Sequence, residues 1–212
     1  MKEKVSAILF DFDMTLIDSS YAITSCMNGL AKDMGLGKVT REQVLSTIGL
    51  PIESAGEILW GEFRPEWLEH YRNHYSARER KELRPFPGAV PLLENLSREG
   101  IRKAVVTNRR NAKVSVEAAG LSDFFEAIVG LDAVERPKPF PDSLLLGLKL
   151  LDIDREEALY VGDTDIDMKT ALAANVRAIG VLSGNHTEGA LAKAGAWKTF
   201  PDLDSLGKWL GF

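Results

Sequence analysis

The 212-residue sequence predicts an α/β protein: a Rossmann-like parallel sheet with helices on both faces, plus an all-helical cap inserted after the first strand. Three observations predict it. From Ile101 onward, short β-branched or aliphatic runs alternate with helical patterns, as in strands joined by crossover helices. The run Val5-Ser6-Ala7-Ile8-Leu9-Phe10 passes directly into acidic residues, so carboxylates emerge where a buried strand should end. The stretch from about Ser19 to Leu83 has helical periodicity and helix start signals but no convincing strand.

In chain order, residues 5–10 form the first strand. In the insertion, Thr40-Arg41-Glu42-Gln43 is a capping-box pattern, and Pro51 and Pro65 are placed as first-turn prolines. One continuous helix is expected over residues 66–83. Pro85-Phe86-Pro87-Gly88 suits a linker returning to the α/β part. This divides the chain into a catalytic core, residues 1–18 and 84–212, and a cap, residues 19–83. A helix over 88–98, stopped by Gly100, leads to a strand at 103–107. A strand at 127–130, a helix at 143–151 and strands at 158–162 and 177–181 follow, with a weaker strand at 197–200. There is no internal repeat and no low-complexity segment.

Apolar content of 45% and charged content of 27% are those of a soluble globular protein. A net charge of −5 argues against a nucleic-acid binder, which carries a basic excess. Cys26 cannot form an intramolecular disulfide and reads as a small buried hydrophobe. Met1-Lys2-Glu3-Lys4 leads straight into the first strand without a targeting segment, and no apolar stretch has membrane-spanning length. The expected location is the cytoplasm, with no membrane partner.

Four motifs fall at strand ends: Asp11-x-Asp13-x-Thr15, Val105-Val106-Thr107-Asn108, Arg136-Pro137-Lys138-Pro139-Phe140-Pro141, and Gly162-Asp163-Thr164-Asp165-Ile166-Asp167. Loops beyond the carboxyl ends of parallel strands are where such folds do chemistry. Asp11 and Asp13 repel each other unless a cation intervenes, which suggests a divalent metal and two different roles. Phosphoryl transfer needs a nucleophile, a proton donor for the leaving group, a cation, and donors for the equatorial oxygens. Asp11 suits the nucleophile, forming an aspartyl phosphate. Asp13 is placed to protonate the leaving oxygen and then to deprotonate water. Mg2+ would take Asp11, Asp163 and a backbone carbonyl near Asp13. Thr107, the Asn108 amide and Lys138 would bind the phosphate.

With these motifs in this order, the chain resembles the haloacid dehalogenase-like hydrolase superfamily, in its phosphatase branch, over its whole length. The resemblance implies the same roles, with the carbonyl of Asp13 as the metal ligand. It adds Asp167 as a water-mediated metal ligand or a partner of Lys138. It also implies a small phosphorylated metabolite as substrate, as for phosphoglycolate phosphatases, with a pyrophosphatase or nucleotidase as alternatives. A dehalogenase lacks an acid at the position of Asp13, a phosphonatase needs a cap lysine, and β-phosphoglucomutase-like relatives carry a histidine where this chain has Ile23. A phospho-accepting receiver module has a different motif order and no helical insertion. Monomer and homodimer are both left open.

Some features depart from the pattern or lie outside it. Met14 stands where the family's phosphatases usually have glycine, which would narrow the space beside the nucleophile or line it with a thioether. Asp165 reads as a solvated carboxylate. His70 and His74 share a helix face but lack the intervening glutamate of a zinc-peptidase helix, and read as solvated or interhelical. The run Arg78-Glu79-Arg80-Lys81-Glu82-Leu83-Arg84 reads as a solvated face, and the spacing does not select a cation for an anionic substrate. Thr47-Ile48-Gly49-Leu50-Pro51 breaks two cap helices. By resemblance Gly49 and its neighbours reach over the site and help to set substrate choice.

Overall fold

The computed structural model describes residues 5–212; the leader-free entry read at residues 1–4 lies outside them. The chain runs β1 (Ala7–Phe10), β2 (Ile17–Asp18), then five helices, α1 (Ser20–Met34), α2 (Arg41–Leu45), α3 (Ile52–Trp60), α4 (Pro65–His74) and α5 (Ser76–Glu82). It returns through β3 (Arg84–Pro85) to α6 (Ala89–Arg98), β4 (Arg102–Val106), α7 (Ala112–Ala118), β5 (Ala127–Val129) and α8 (Asp142–Leu151). It ends with β6 (Ala158–Gly162), α9 (Asp165–Ala174), β7 (Arg177–Val181), α10 (Glu188–Ala194), β8 (Lys198–Phe200) and α11 (Leu203–Leu210).

Six strands form one parallel sheet in the order β5-β4-β1-β6-β7-β8. Alternation along β1 explains its central place. Ile8 and Phe10 enter one core with Leu92, Leu93 and Leu96 of α6 and Leu206 of α11. Ala7 and Leu9 enter the other with Leu144 and Leu148 of α8 and Met168 of α9. A strand buried on both faces is apolar throughout, hence the unbroken run in the sequence. Because Phe10 pairs with Val105 on one side and Val161 on the other, β1, β4 and β6 end side by side. Asp11, Thr107 and Asp163 therefore leave the sheet together.

The helical insertion has its own core of Cys26, Met27, Leu30, Val44, Trp67 and Tyr71. Its entry and exit are tied by the antiparallel pair β2–β3, a ribbon too short to announce itself in the sequence. Thr40 and Gln43 make the capping box that begins α2, and Pro65 is the first residue of α4. Cys26 is fully buried, and burial, followed by nearby Glu79, pushes its thiol up to about 12, as suits an inert core residue.

The single helix expected over 66–83 is instead two, broken at Tyr75 (φ −117°). Tyr75 is held on α1: its hydroxyl donates to Asp33 at 2.6 Å, and its ring lies against Gly29. Periodicity could not show this tether. His70 is interhelical as read, with Nε2 2.9 Å from Asp33 and its ring stacked 4.3 Å from that of His74. No helix among the described residues is long and apolar enough to cross a membrane.

Candidate active site

The loops beyond β1, β4 and β6 meet at one end of the sheet, and residues beyond β1 and β4, with the helical insertion, line a cleft with a cavity volume of about 170 Å³. That is room for a metabolite. Asp11, one residue past β1, accepts from Lys138 Nζ at 2.7 Å, and the same ammonium reaches Asp167 Oδ1 at 2.6 Å and the Tyr160 hydroxyl at 3.0 Å. All four groups are buried. Burial works against the Lys138 ammonium, but Asp11 and Asp167 outweigh it and hold it charged. Burial pushes the Asp11 carboxyl up to about 7; Lys138 opposes the rise and Asp167 adds to it.

Asp11, Asp163 and Asp167 each offer an oxygen within 4.8 Å of the others. Three buried hard oxygen donors suit a divalent cation such as Mg2+. They are not equivalent. Asp167 Oδ1 accepts from Lys138 and Tyr160, and its Oδ2 accepts from the Thr164 N–H at 3.1 Å and hydroxyl at 2.5 Å, so both oxygens are already engaged. Asp163 is held on one oxygen by the Thr15 hydroxyl at 2.9 Å. Its other oxygen faces Gly184, where a Cβ would lie 1.9 Å away, so glycine keeps that side open. Burial, then Asp167 and Asp11, pushes the Asp163 carboxyl up. An added cation would relieve that strain.

Asp13 is turned differently. Both its oxygens accept from Arg109, Nε to Oδ2 at 2.8 Å and Nη2 to Oδ1 at 2.5 Å. Burial disfavours this carboxylate, but Arg109 outweighs burial and holds it below its usual range. Arg109 also pairs with Glu79 of α5, which accepts from the Tyr71 hydroxyl. A buried chain thus runs from the core acid through Arg109 into the helical insertion. Sequence reasoning missed Arg109 and read Glu79 as solvated, although Glu79 is only 6% exposed. The available signal was charge balance: Asp13 needs a counter-ion, and the segment after Thr107-Asn108 opens with arginine.

Thr107 is buried, and its hydroxyl oxygen accepts from the Arg109 N–H at 3.1 Å, leaving its own hydrogen to donate elsewhere. The Asn108 side chain is fully occupied: Nδ2 donates to the Lys138 and Gly49 carbonyls at 3.0 Å each, and Oδ1 accepts from the Lys138 N–H at 3.0 Å. It positions the lysine loop and ties down Gly49, and residues 47–51 line the cleft.

One further expectation is corrected. Met14 does not line the cleft; it is buried, with φ +60°, and its carbonyl accepts from the Ser183 hydroxyl at 2.5 Å. That left-handed backbone costs a non-glycine residue about 1–2 kcal/mol. Asp165 lies at the surface, half-exposed, and pairs there with Lys169, 3.3 Å from His186 Nε2.

The model of haloacid dehalogenase-like hydrolases matches residues 8–181. A phosphoglycolate phosphatase of Aquifex aeolicus is 34% identical over 180 residues, covering 84% of each chain. The pyrophosphatase PpaX of Halalkalibacterium halodurans is 31% identical over 176 residues, covering 82% of each. A solved structure described as a haloacid dehalogenase-like hydrolase, from Bacteroides fragilis, is 32% identical with a TM-score of 0.86, covering 96% of this chain and 100% of its own.

Proposed function

The chain belongs to the haloacid dehalogenase-like hydrolase family and is one of its phosphatases, and we propose that it hydrolyses a small phosphorylated metabolite with Mg2+ through an aspartyl-phosphate intermediate. The observation that carries this reading is the division of labour between two carboxylates two residues apart. Asp11 sits on Lys138 in the acidic cluster; Asp13 sits outside it on Arg109.

In the proposed reaction Asp13, released by Arg109 on one oxygen and protonated there, gives that proton to the leaving oxygen as Asp11 attacks phosphorus and the bond to the leaving oxygen breaks. Asp13 then takes a proton from water, which attacks the aspartyl phosphate and restores Asp11. Thr107, the Asn108 backbone N–H and Lys138 donate to the phosphoryl oxygens. Asp11, Asp163 and the Asp13 carbonyl would hold Mg2+, which supplies positive charge against that developing on the phosphoryl group. Asp167 orients Lys138. Because Arg109 holds both Asp13 oxygens, it must release one for the proton to move, and it is assigned a positioning role. Residues 19–83 act as the cap that excludes water over the core formed by 1–18 and 84–212.

The test is phosphate release from p-nitrophenyl phosphate, phosphoglycolate, pyrophosphate and nucleotides, with and without Mg2+. Turnover should need the metal, vanish in Asp11→Asn and fall roughly 10²–10⁴-fold in Asp13→Asn. Full activity in Asp11→Asn would remove it as nucleophile. Pyrophosphatase relatives make pyrophosphate the competing substrate.

A further inference from the structure

The cleft cations do not balance, and the imbalance lies on the helical wall. Lys138 is matched by Asp11 and Asp167, Arg109 by Asp13 and Glu79, and Arg110 by Glu53 at 3.3 Å. Two further arginines line the same cleft, Arg72 of α4 and Arg80 of α5. Among the described residues neither guanidinium makes a hydrogen bond or an ion pair. Each follows directly on a residue of the buried chain, Tyr71 or Glu79, which bond to each other and, through Arg109, to Asp13. Their backbones are therefore fixed relative to the reacting end. Apolar side chains, among them Ile48, Leu50 and Leu68, share the same lining.

We propose that Arg72 and Arg80 form a second anion subsite, so that the preferred substrate is a phosphomonoester carrying another anionic group, a carboxylate or phosphate, on a short carbon skeleton. The proposal rests on the phosphatase reading and narrows its substrate class. Arg72 is exposed and Arg80 half-buried on this lining, so both guanidiniums are free to turn onto an anion bound in the cleft. Arginine suits the task because its planar fork meets a carboxylate or phosphate with two parallel bonds. The apolar lining has nothing to contact in inorganic pyrophosphate but would pack against carbon. The expected substrate is therefore organic and anionic at both ends.

Phosphoglycolate and phosphoethanolamine place opposite charges at similar distances from the phosphoryl group, with pyrophosphate as the carbon-free compound anionic at both ends and p-nitrophenyl phosphate as the reference. In the wild type, kcat/KM for phosphoglycolate should exceed that for phosphoethanolamine at least tenfold. Arg72→Gln and Arg80→Gln should each reduce that ratio by about ten- to a hundredfold, the worth of one charge-assisted hydrogen bond. Arg98→Gln, on the outer side of α6, should leave the ratio where it was. Calorimetric titration of phosphoglycolate into the Asp11→Asn protein, before and after adding Arg80→Gln, reads the same loss as affinity without turnover. Equal rates on the anionic and cationic esters, ratios untouched by either cap variant, or pyrophosphate as the best substrate would each overturn the subsite while leaving the phosphatase reading intact. Failure to hydrolyse any of the compounds would overturn the phosphatase reading itself, and the subsite with it.

Discussion

Asp13 shows how one side chain's environment sets both chemistry and stability. Its carboxyl is held below the usual range because Arg109 outweighs burial. Such a group contributes stability that is present above its unfolded pKa, about 4, and lost as pH falls through the lower folded value. Arg109→Gln also leaves Glu79 buried without its cation, and breaking a buried pair from one side costs about 3–5 kcal/mol. Urea denaturation should show that full difference between wild type and variant at pH 7, narrowing below pH 4. A pH-independent difference would remove the Asp13 linkage. Asp11 has the opposite sign. Its carboxyl is pushed up to about 7 by burial, so below pH 7 a divalent ion must displace a proton to bind. Mg2+ titrated by calorimetry should bind more weakly at pH 6 than at pH 8, with proton release visible as a dependence of the heat on buffer. Equal affinity at both pH values would count against Asp11 as a ligand.

The cap helices are organised around one contact that composition does not announce. Gly29, in the middle of α1, faces Tyr75, and a Cβ there would lie 2.3 Å from the ring. That close approach fixes the break between α4 and α5, and with it the direction in which Glu79 points. Gly29→Ala should overpack this seam and destabilise the protein by about 1–3 kcal/mol, although alanine is the better helix former. A stabilised variant in urea denaturation would show that the seam is loose. The core strands were legible from residue pattern alone: 158–162 and 177–181 coincide with β6 and β7, and 103–107 differs from β4 by one residue at each end. These runs are apolar because both sheet faces are covered. The α4–α5 break was not legible, because both sides keep helical periodicity.

Three consecutive residues beyond β4 hold the helical insertion at three separate places. Asn108 reaches the Gly49 carbonyl, Arg109 reaches Glu79 of α5, and Arg110 reaches Glu53 of α3. With the β2–β3 ribbon at the connections, the two parts should melt together, and calorimetry should show one transition with matching calorimetric and van't Hoff enthalpies. Two resolved transitions would show that the clamp is too weak to couple them. By itself the sequence determined the parallel sheet, the helical insertion and the acids, threonine and lysine at strand ends, because strand burial and motif order are local properties of the chain. Only the tertiary structure decided that Asp13 faces Arg109 rather than the acidic cluster, that Glu79 is buried, and that Arg72 and Arg80 stand over the cleft unmatched. Those facts depend on which distant side chains meet once the helices fold over the sheet, and no spacing within the sequence encodes such a meeting.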